Sequence, residues 1–144
     1  MNEHTIGLVR ESFDLVEPMA SQVGARFYAH LFRVDPSLTA LFSGDREAQG
    51  DRLVQMIAVA VAQLHRPEVL LPVLRQLGRR HAGYGVRDAH YGTVGGVLLL
   101  TLAEALGPAF TEEVREAWIE VYALMAATMR DAAAAPEAAA AAAP

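Results

Sequence analysis

The sequence predicts an all-α fold, and three observations support this prediction. Apolar residues recur at intervals of three and four along most of the 144 residues, which is the spacing of one face of an α-helix. No stretch alternates apolar and polar residues for long enough to indicate a β-strand. Proline, glycine and short polar segments separate the periodic stretches at intervals typical of helices.

The first third of the chain predicts two helices and a short helical turn. The first helix covers about residues 5–16 and has Ile6, Val9, Phe13 and Val16 on one face. A second helix begins at Pro18, because proline is tolerated in the first turn of a helix. It carries Tyr28 beside its apolar face. A short helical turn then runs through residues 35–42, and residues 43–45 are expected to form a loop.

Three further helices are predicted in the rest of the chain. The third covers about residues 47–64, and the fourth starts at Pro67 and ends at the turn of residues 83–85. Asp88 is a candidate N-cap for a fifth helix that runs through Leu106 and is closed by Gly107-Pro108. Thr111 is expected to cap the last helix.

The length and composition are those of one domain. We assign residues 1–131 to this domain and residues 132–144, which are almost entirely alanine and proline, to a disordered tail. The net charge of −5 argues against nucleic-acid binding, and the absence of cysteine excludes disulfides, thiolate catalysis and cysteine-ligated metals. We expect a cytoplasmic protein with no membrane span.

His81 is the main candidate for chemistry. It lies near the end of the fourth helix, at the edge of the apolar face formed by Leu74 and Leu77. A neutral imidazole there has one ring nitrogen free to bind a metal, while the other donates to a backbone carbonyl one turn earlier. The alternative is an ordinary surface or core histidine, which is the more common case.

A second group of candidates lies on the preceding helices. Tyr28 and Gln49 would supply hydrogen-bond donors to a ligand, Leu53 would fill the floor of the pocket, and Phe42 would stack on a flat cofactor. Taken singly, each has an ordinary structural explanation: a core tyrosine with its hydroxyl at the rim, an exposed amide near a helix start, and core apolar residues.

The remaining histidines and glycines predict no further site. His4, His30 and His65 show no partner pattern and are expected to be solvated, whereas His90 is expected to make a local hydrogen bond near a helix start. None has the spacing of a zinc site. The glycines of the fifth helix, Gly92 and 95–96, are expected to permit close helix packing.

Taken together, these segments resemble bacterial globins, in particular the single-domain globins related to the globin domain of flavohaemoglobins. The resemblance covers about residues 3–131. The segments that carry it are Phe27 to Phe32, Pro36 to Phe42, Gln49 with Leu53, Leu77 to His81, Tyr84 to Val86, His90-Tyr91, and Ala117-Trp118 through Tyr122.

The resemblance implies a globin fold that encloses haem b. It makes His81 the iron ligand, and Tyr28 and Gln49, with Leu53 beside them, the residues on the ligand side. The residues expected to contact the cofactor are Phe42, Leu53, Arg80, Tyr84, Val86, Tyr91 and Val94.

This sequence lacks one feature of the family's pattern. In the family, the counterpart of Tyr91 can hydrogen-bond toward the iron-binding histidine together with a glutamate of the last helix. Here the matching stretch, residues 129–133, has no glutamate, and Asp131 is a poor substitute. We therefore expect less imidazolate character on His81 and a weaker electronic push onto iron.

Three functions remain open at this level. The leading one is reversible binding of dioxygen, and of CO and NO, at a five-coordinate haem iron, for oxygen transport or storage. The second is nitric oxide dioxygenation, with electrons from an external reductase, because the resemblance ends where flavohaemoglobins continue into their reductase. The third is a globin-like interaction or sensor module without haem.

Overall fold

The structure is a computed structural model that describes residues 1–42 and 44–134. Six α-helices account for most of these residues, and we number them in chain order. Short 3₁₀ turns at Glu17–Met19, Pro36–Leu41 and Gly107–Ala109 join some of them. The helices are α1 Glu3–Val16, α2 Ala20–Val34, α3 Arg46–Ala62, α4 Pro67–Gly83, α5 Asp88–Leu106 and α6 Glu112–Ala134. The all-α prediction is confirmed.

Side-chain caps fix several helix starts. The Asn2 side chain accepts a hydrogen bond from the Thr5 N–H at 2.8 Å, and Asp45 accepts from the Glu47 N–H at 3.2 Å. The predicted cap at Thr111 is confirmed, since its hydroxyl accepts from the Val114 N–H at 3.2 Å. These caps satisfy backbone donors that have no partner inside the helix.

The core is formed mainly where α1, α2, α5 and α6 pack together. Val9, Leu31 and Val121 lie at its centre and are almost completely buried. A polar link crosses it: the Trp118 Nε1–H donates to Ser12 Oγ at 2.9 Å, and the Ser12 hydroxyl donates to the Leu8 carbonyl at 2.7 Å. The buried indole N–H is thereby satisfied, which avoids a desolvation cost of about 1–3 kcal/mol.

Three glycines permit helices to approach closely. A Cβ added to Gly24 of α2 would lie 2.7 Å from the backbone of Gly50 of α3. A Cβ on Gly78 of α4 would lie 2.2 Å from the Met129 carbonyl oxygen of α6. One on Gly95 of α5 would lie 2.6 Å from the Tyr122 ring. A larger residue at Gly24 or Gly78 must push two helices apart, because the near atoms are backbone, whereas one at Gly95 must displace the Tyr122 ring.

The prediction of close packing at the other two glycines of α5 was wrong. A Cβ added to Gly92 or Gly96 would meet no atom within 4 Å, and both residues are exposed. Helical periodicity places them about 60–100° around the helix from Gly95, on the side away from α6.

The two consecutive helices α3 and α4 diverge. α3 packs on α2 and, to a lesser extent, on α1, whereas the extensive contacts of α4 are made with α6. Within the part of the chain that the structure describes, α3 and α4 barely touch each other.

Several boundaries differ from those predicted. Pro18 lies in the 3₁₀ turn Glu17–Met19, so α2 begins at Ala20, and α3 ends at Ala62. Asp88 is the first residue of α5 and does not cap it; Arg87 is the N-cap, and its N–H donates to His90 Nδ1 at 2.9 Å. The predicted local bond of His90 is thus confirmed. α6 continues through Ala134, three residues into the predicted tail, and residues 135–144 lie outside the described residues.

The segment Asp88–Ala109 is long and apolar enough to cross a membrane by length and composition. Among the described residues it is the one helix that meets this criterion, and so it qualifies the expectation of no membrane span. Within the fold, α5 contributes seven buried residues, including Val97, Leu98 and Leu102, to contacts with its neighbours. A core helix has the same composition.

Candidate functional site

His81 lies in the last turn of α4 with its imidazole half-buried. Its Nδ1 is 2.9 Å from the Leu77 carbonyl oxygen, and because that oxygen only accepts, Nδ1 carries the proton. The predicted hydrogen bond one turn back is confirmed. This tautomer places the lone pair on Nε2, as metal binding requires.

The pKa of the His81 imidazole is lowered from its ordinary value. Burial is the main cause, the bond to the Leu77 carbonyl opposes it, and the nearby Arg80 charge adds to it. The imidazole is therefore neutral at pH 7, and a metal does not have to displace a proton from Nε2.

The chain after His81 ties this end of α4 to the 3₁₀ turn Pro36–Leu41. The Val86 N–H donates to the His81 carbonyl at 3.0 Å, and Gly85 has a φ of +96°, which a residue with a side chain rarely adopts. A Cβ at Gly85 would lie 3.4 Å from the Leu41 side chain. Phe42 follows Leu41 and therefore lies where the 3₁₀ turn Pro36–Leu41 meets the segment after His81.

Tyr28 is surrounded by aromatic rings. Its ring centroid lies 5.1 Å from Phe27, 5.8 Å from Phe32 and 5.0 Å from Phe42, and only 7% of the residue is exposed. Burial raises the pKa of the Tyr28 hydroxyl, although the charge of Arg52 on α3 opposes this. The hydroxyl therefore remains protonated and able to donate across the physiological pH range.

Gln49 and Leu53 lie one turn apart on α3. Gln49 is 8% exposed and Leu53 is partly buried against the core. α2 and α3 cross closely at Gly24 and Gly50. Gln49 precedes Gly50 on α3, and Tyr28 lies one turn after Gly24 on α2. The structure therefore puts Tyr28 and Gln49 on adjoining helices at the same crossing.

Several features around Tyr28 were missed in the sequence. Phe27 and Phe32 complete its aromatic cluster, and the Arg46 guanidinium lies 4.6 Å above the Phe32 ring. The i, i+4 spacing of Tyr28 and Phe32 was an available signal. No sequence signal could have placed the Arg52 charge near Tyr28, because that proximity depends on how α3 crosses α2.

Tyr91 is buried at the start of α5 and held through its backbone. The Tyr122 hydroxyl donates to the Tyr91 carbonyl at 2.6 Å. Burial is the largest cause of the raised pKa of Tyr91, with the Asp88 carboxylate adding to it. Near these groups, Arg130 of the last helix pairs with Asp88 at 3.7 Å, while Asp131 is exposed.

The other residues expected to contact a cofactor differ in how far they are buried. Phe42, Val86 and Val94 are partly buried and pack against the core, whereas Arg80 is exposed and Tyr84 is 67% exposed. Arg80 and Tyr84 are therefore in position to reach only the solvent edge of a cofactor.

Two histidines have partners that the sequence did not predict. His4 Nε2 pairs with Glu113, and His30 Nε2 lies 2.6 Å from Glu104 Oε1. His4 is solvated as predicted, with a side chain that is 68% exposed, whereas that prediction was wrong for His30, whose side chain is 13% exposed. Neither partner could be predicted, because each is more than 70 residues away in sequence. His65 is exposed as expected. Among residues 1–42 and 44–134, no cluster of histidine and carboxylate side chains could hold a metal ion.

This arrangement fits haem. α3 and α4 make few contacts with each other, and partly buried apolar side chains from separate segments pack against the core: Phe42, Leu53, Ile57, Leu77, Val86 and Val94. Apolar side chains of this kind suit a large flat apolar group. His81 offers a neutral imidazole nitrogen for its iron, and Tyr28 offers a buried donor.

Comparison with known proteins agrees with this interpretation. The sequence profile of the globin family matches residues 25–129. A flavohemoprotein of Chromobacterium violaceum is 32% identical over 133 residues, which are 90% of this chain and 33% of the relative. A flavohemoprotein of Rhodopirellula baltica is 30% identical over 129 residues, or 88% of this chain and 32% of the relative. The chain thus spans about a third of the length of these curated relatives.

Solved structures show the same fold. An engineered carbene transferase from Rhodothermus marinus, described as a presumed nitric oxide dioxygenase, superposes with a TM-score of 0.86 at 28% identity, over 98% of this chain and 99% of that one. A bacterial globin of Campylobacter jejuni superposes with a TM-score of 0.79 at 21% identity, over 92% of this chain and 96% of that one. From the family match, the helical arrangement and the geometry of the site, the chain belongs to the globin family.

Proposed function

We propose that this chain binds haem b and uses it to bind dioxygen reversibly. The observation that supports this best is the His81 tautomer: Nδ1 donates to the Leu77 carbonyl, so that the Nε2 lone pair is available to iron. Family membership and the partly buried apolar side chains of Phe42, Leu53 and Val86 support the same proposal.

The chain's own residues would determine how the site behaves. Haem supplies an iron that, when ferrous, takes a diatomic gas. His81 would hold that iron from the α4 side, oriented by the Leu77 carbonyl. Tyr28 would donate to a ligand that carries partial negative charge, as dioxygen does, and its aromatic surroundings strengthen that bond by excluding water. Gln49 would add a second donor.

Replacing Tyr28 by Phe tests the role of the hydroxyl. The variant keeps the aromatic packing and removes one donor, and a hydrogen bond to a charged acceptor contributes about 1.5–3 kcal/mol. We expect dioxygen dissociation to accelerate about tenfold or more, and dissociation of the less polar CO about twofold or less. Stopped-flow and flash-photolysis rates measure both.

The control is Ser21→Ala, which removes an exposed hydroxyl from the same helix. It should leave both rates unchanged. Equal acceleration of dioxygen and CO in Tyr28→Phe would contradict the donor role, because a wider pocket, and not a lost hydrogen bond, would then explain the rates.

We propose nitric oxide dioxygenation as a second candidate. It is favoured by the paired donors Tyr28 and Gln49 and by the description of the Rhodothermus marinus relative. In this reaction NO, dioxygen and one electron give nitrate, and the electron must come from a reductase. Tyr28 and Gln49 would hold the dioxygen in place while NO reacts with it.

Steady-state NO consumption in the presence of dioxygen, NADPH, ferredoxin and ferredoxin reductase tests this candidate. Sustained turnover with nitrate as product, well above the rate without the protein, would support it. A single burst of NO loss equal to the amount of protein would contradict it and leave reversible gas binding.

A further inference from the structure

Positive charge is concentrated in one segment of this acidic chain. Residues 66–87, which are α4 and its flanks, contain five arginines and one glutamate, for a formal charge of +4. The rest of the chain contains seven arginines and sixteen acidic residues, for a formal charge of −9. This asymmetry gives the molecule a strong electrostatic polarity.

The arginines of α4 and of the residues that follow it are available to a partner. Arg75, Arg79, Arg80 and Arg87 are all exposed, and among the described residues none of them lies within 4.0 Å of a carboxylate. The acidic side chains at the two ends of the segment are already paired: Glu68 with Arg66 at 3.6 Å and Asp88 with Arg130 at 3.7 Å. We call the four free arginines, together with Tyr84, the α4 arginine surface.

The α4 arginine surface has the composition of a protein interface. Tyr84 is 67% exposed within it, and Val73 on the same helix is 37% exposed. Arginine and tyrosine are the residues most enriched at protein–protein contacts, where their long or flat side chains bury large areas. The Tyr84 N–H donates to the His81 carbonyl at 3.1 Å, so Tyr84 brings this surface to the turn that carries His81.

We propose that the α4 arginine surface is the docking site for a small acidic electron-transfer protein, one with an iron–sulfur or flavin centre. This inference rests on the proposed haem function and names the class of its electron donor. In the docked pair one electron leaves the donor's centre, which is oxidised, and reduces ferric iron to ferrous; no bond is made or broken. Such encounters need only a small interface, since charge complementarity provides the orientation and the speed.

Charge also argues for a compact protein over an extended polyanion. A nucleic acid or an anionic membrane presents negative charge over a wide area, and the −9 of the remaining chain would be repelled by it. A small acidic protein meets only the arginine surface. The exposed Tyr84 ring has no role at a phosphate backbone unless bases are unstacked.

Binding and reduction by reduced plant-type ferredoxin, a small acidic [2Fe–2S] protein, test this proposal. We expect the rate constant for reduction of the ferric protein to fall about tenfold or more as ionic strength rises from about 20 to about 300 mM. Titration of labelled ferredoxin with the CO-bound protein gives a binding constant that does not depend on any turnover, and it should weaken with salt in the same way.

The variant Arg75→Glu/Arg79→Glu should lower both quantities about tenfold at low ionic strength. The matched control, Arg10→Glu/Arg33→Glu, makes the same charge change at exposed residues of α1 and α2, neither of which packs extensively on α4. It should change them less than about twofold, apart from the general effect of net charge. The Soret spectra of both variants should match that of the parent protein.

Three results would overturn the proposal: binding that does not respond to salt, equal losses in the two variants, or tighter binding to phosphatidylserine vesicles or a 20-base-pair DNA duplex than to ferredoxin. Failure of the proposed function itself is distinguishable, because it would appear as the absence of a Soret band in the parent protein.

Discussion

The variant His81→Ala is expected to lose tight haem binding. The substitution removes the Nε2 lone pair and leaves a helix-compatible residue, so that the fold is retained while the iron has no ligand from α4. After reconstitution with hemin, the Soret band of the variant should be weak, and the reduced CO spectrum should differ from that of a histidine-ligated haem. Absorption spectra of the ferric, reduced and CO-bound forms measure this.

Two controls define that result. His65→Ala removes an exposed imidazole and should leave the spectra unchanged. Added imidazole should restore the Soret band of His81→Ala, because it can occupy the vacated space and supply the missing nitrogen. Parent-like spectra in His81→Ala without added imidazole would mean that another residue binds the iron.

Gly78→Ala is expected to destabilise the protein by about 3 kcal/mol. The added methyl carbon would lie 2.2 Å from the Met129 carbonyl oxygen, a rigid backbone atom, so α4 and α6 must separate. Since α6 provides the extensive packing of α4, the displacement should also move His81. Urea unfolding followed by helical circular dichroism measures the free energy of unfolding.

Gly92→Ala makes the identical change where a Cβ meets nothing within 4 Å. It should stabilise the protein by about 0.5–1 kcal/mol, because alanine loses less backbone entropy than glycine on forming a helix. If the two variants had the same effect, helix propensity and not the α4–α6 crossing would govern both positions.

The local parts of the fold and site could be predicted from the sequence. Helical periodicity, Pro67 and Thr111 located the helices, and the position of His81 on its helix predicted the bond to Leu77. Each of these depends on residues no more than a few positions apart. A single turn of helix fixes such relations whatever the rest of the chain does.

Relations between distant segments could not be predicted in the same way. The sequence does not show that Gly95 faces Tyr122 while Gly92 and Gly96 face open space, since this depends on how α5 is rotated against α6. The pairing of His30 with Glu104 depends likewise on the packing of α2 against α5. One local relation was also missed: the N-cap of α5 is Arg87, whose N–H donates to His90 Nδ1, and not Asp88.

The dependence of α4 on a single neighbouring helix has a consequence for the life of the protein in a cell. With no cofactor between α3 and α4, the segment from residue 63 to 87 has little besides α6 to hold it, and its amide hydrogens should exchange with solvent well before those of α1 and α2. If the chain binds haem as proposed, a newly made chain would order this segment fully only when haem arrives, and binding would then stabilise the whole domain. Proteases that cut open segments would remove chains that wait too long, so the amount of this protein would follow the haem supply.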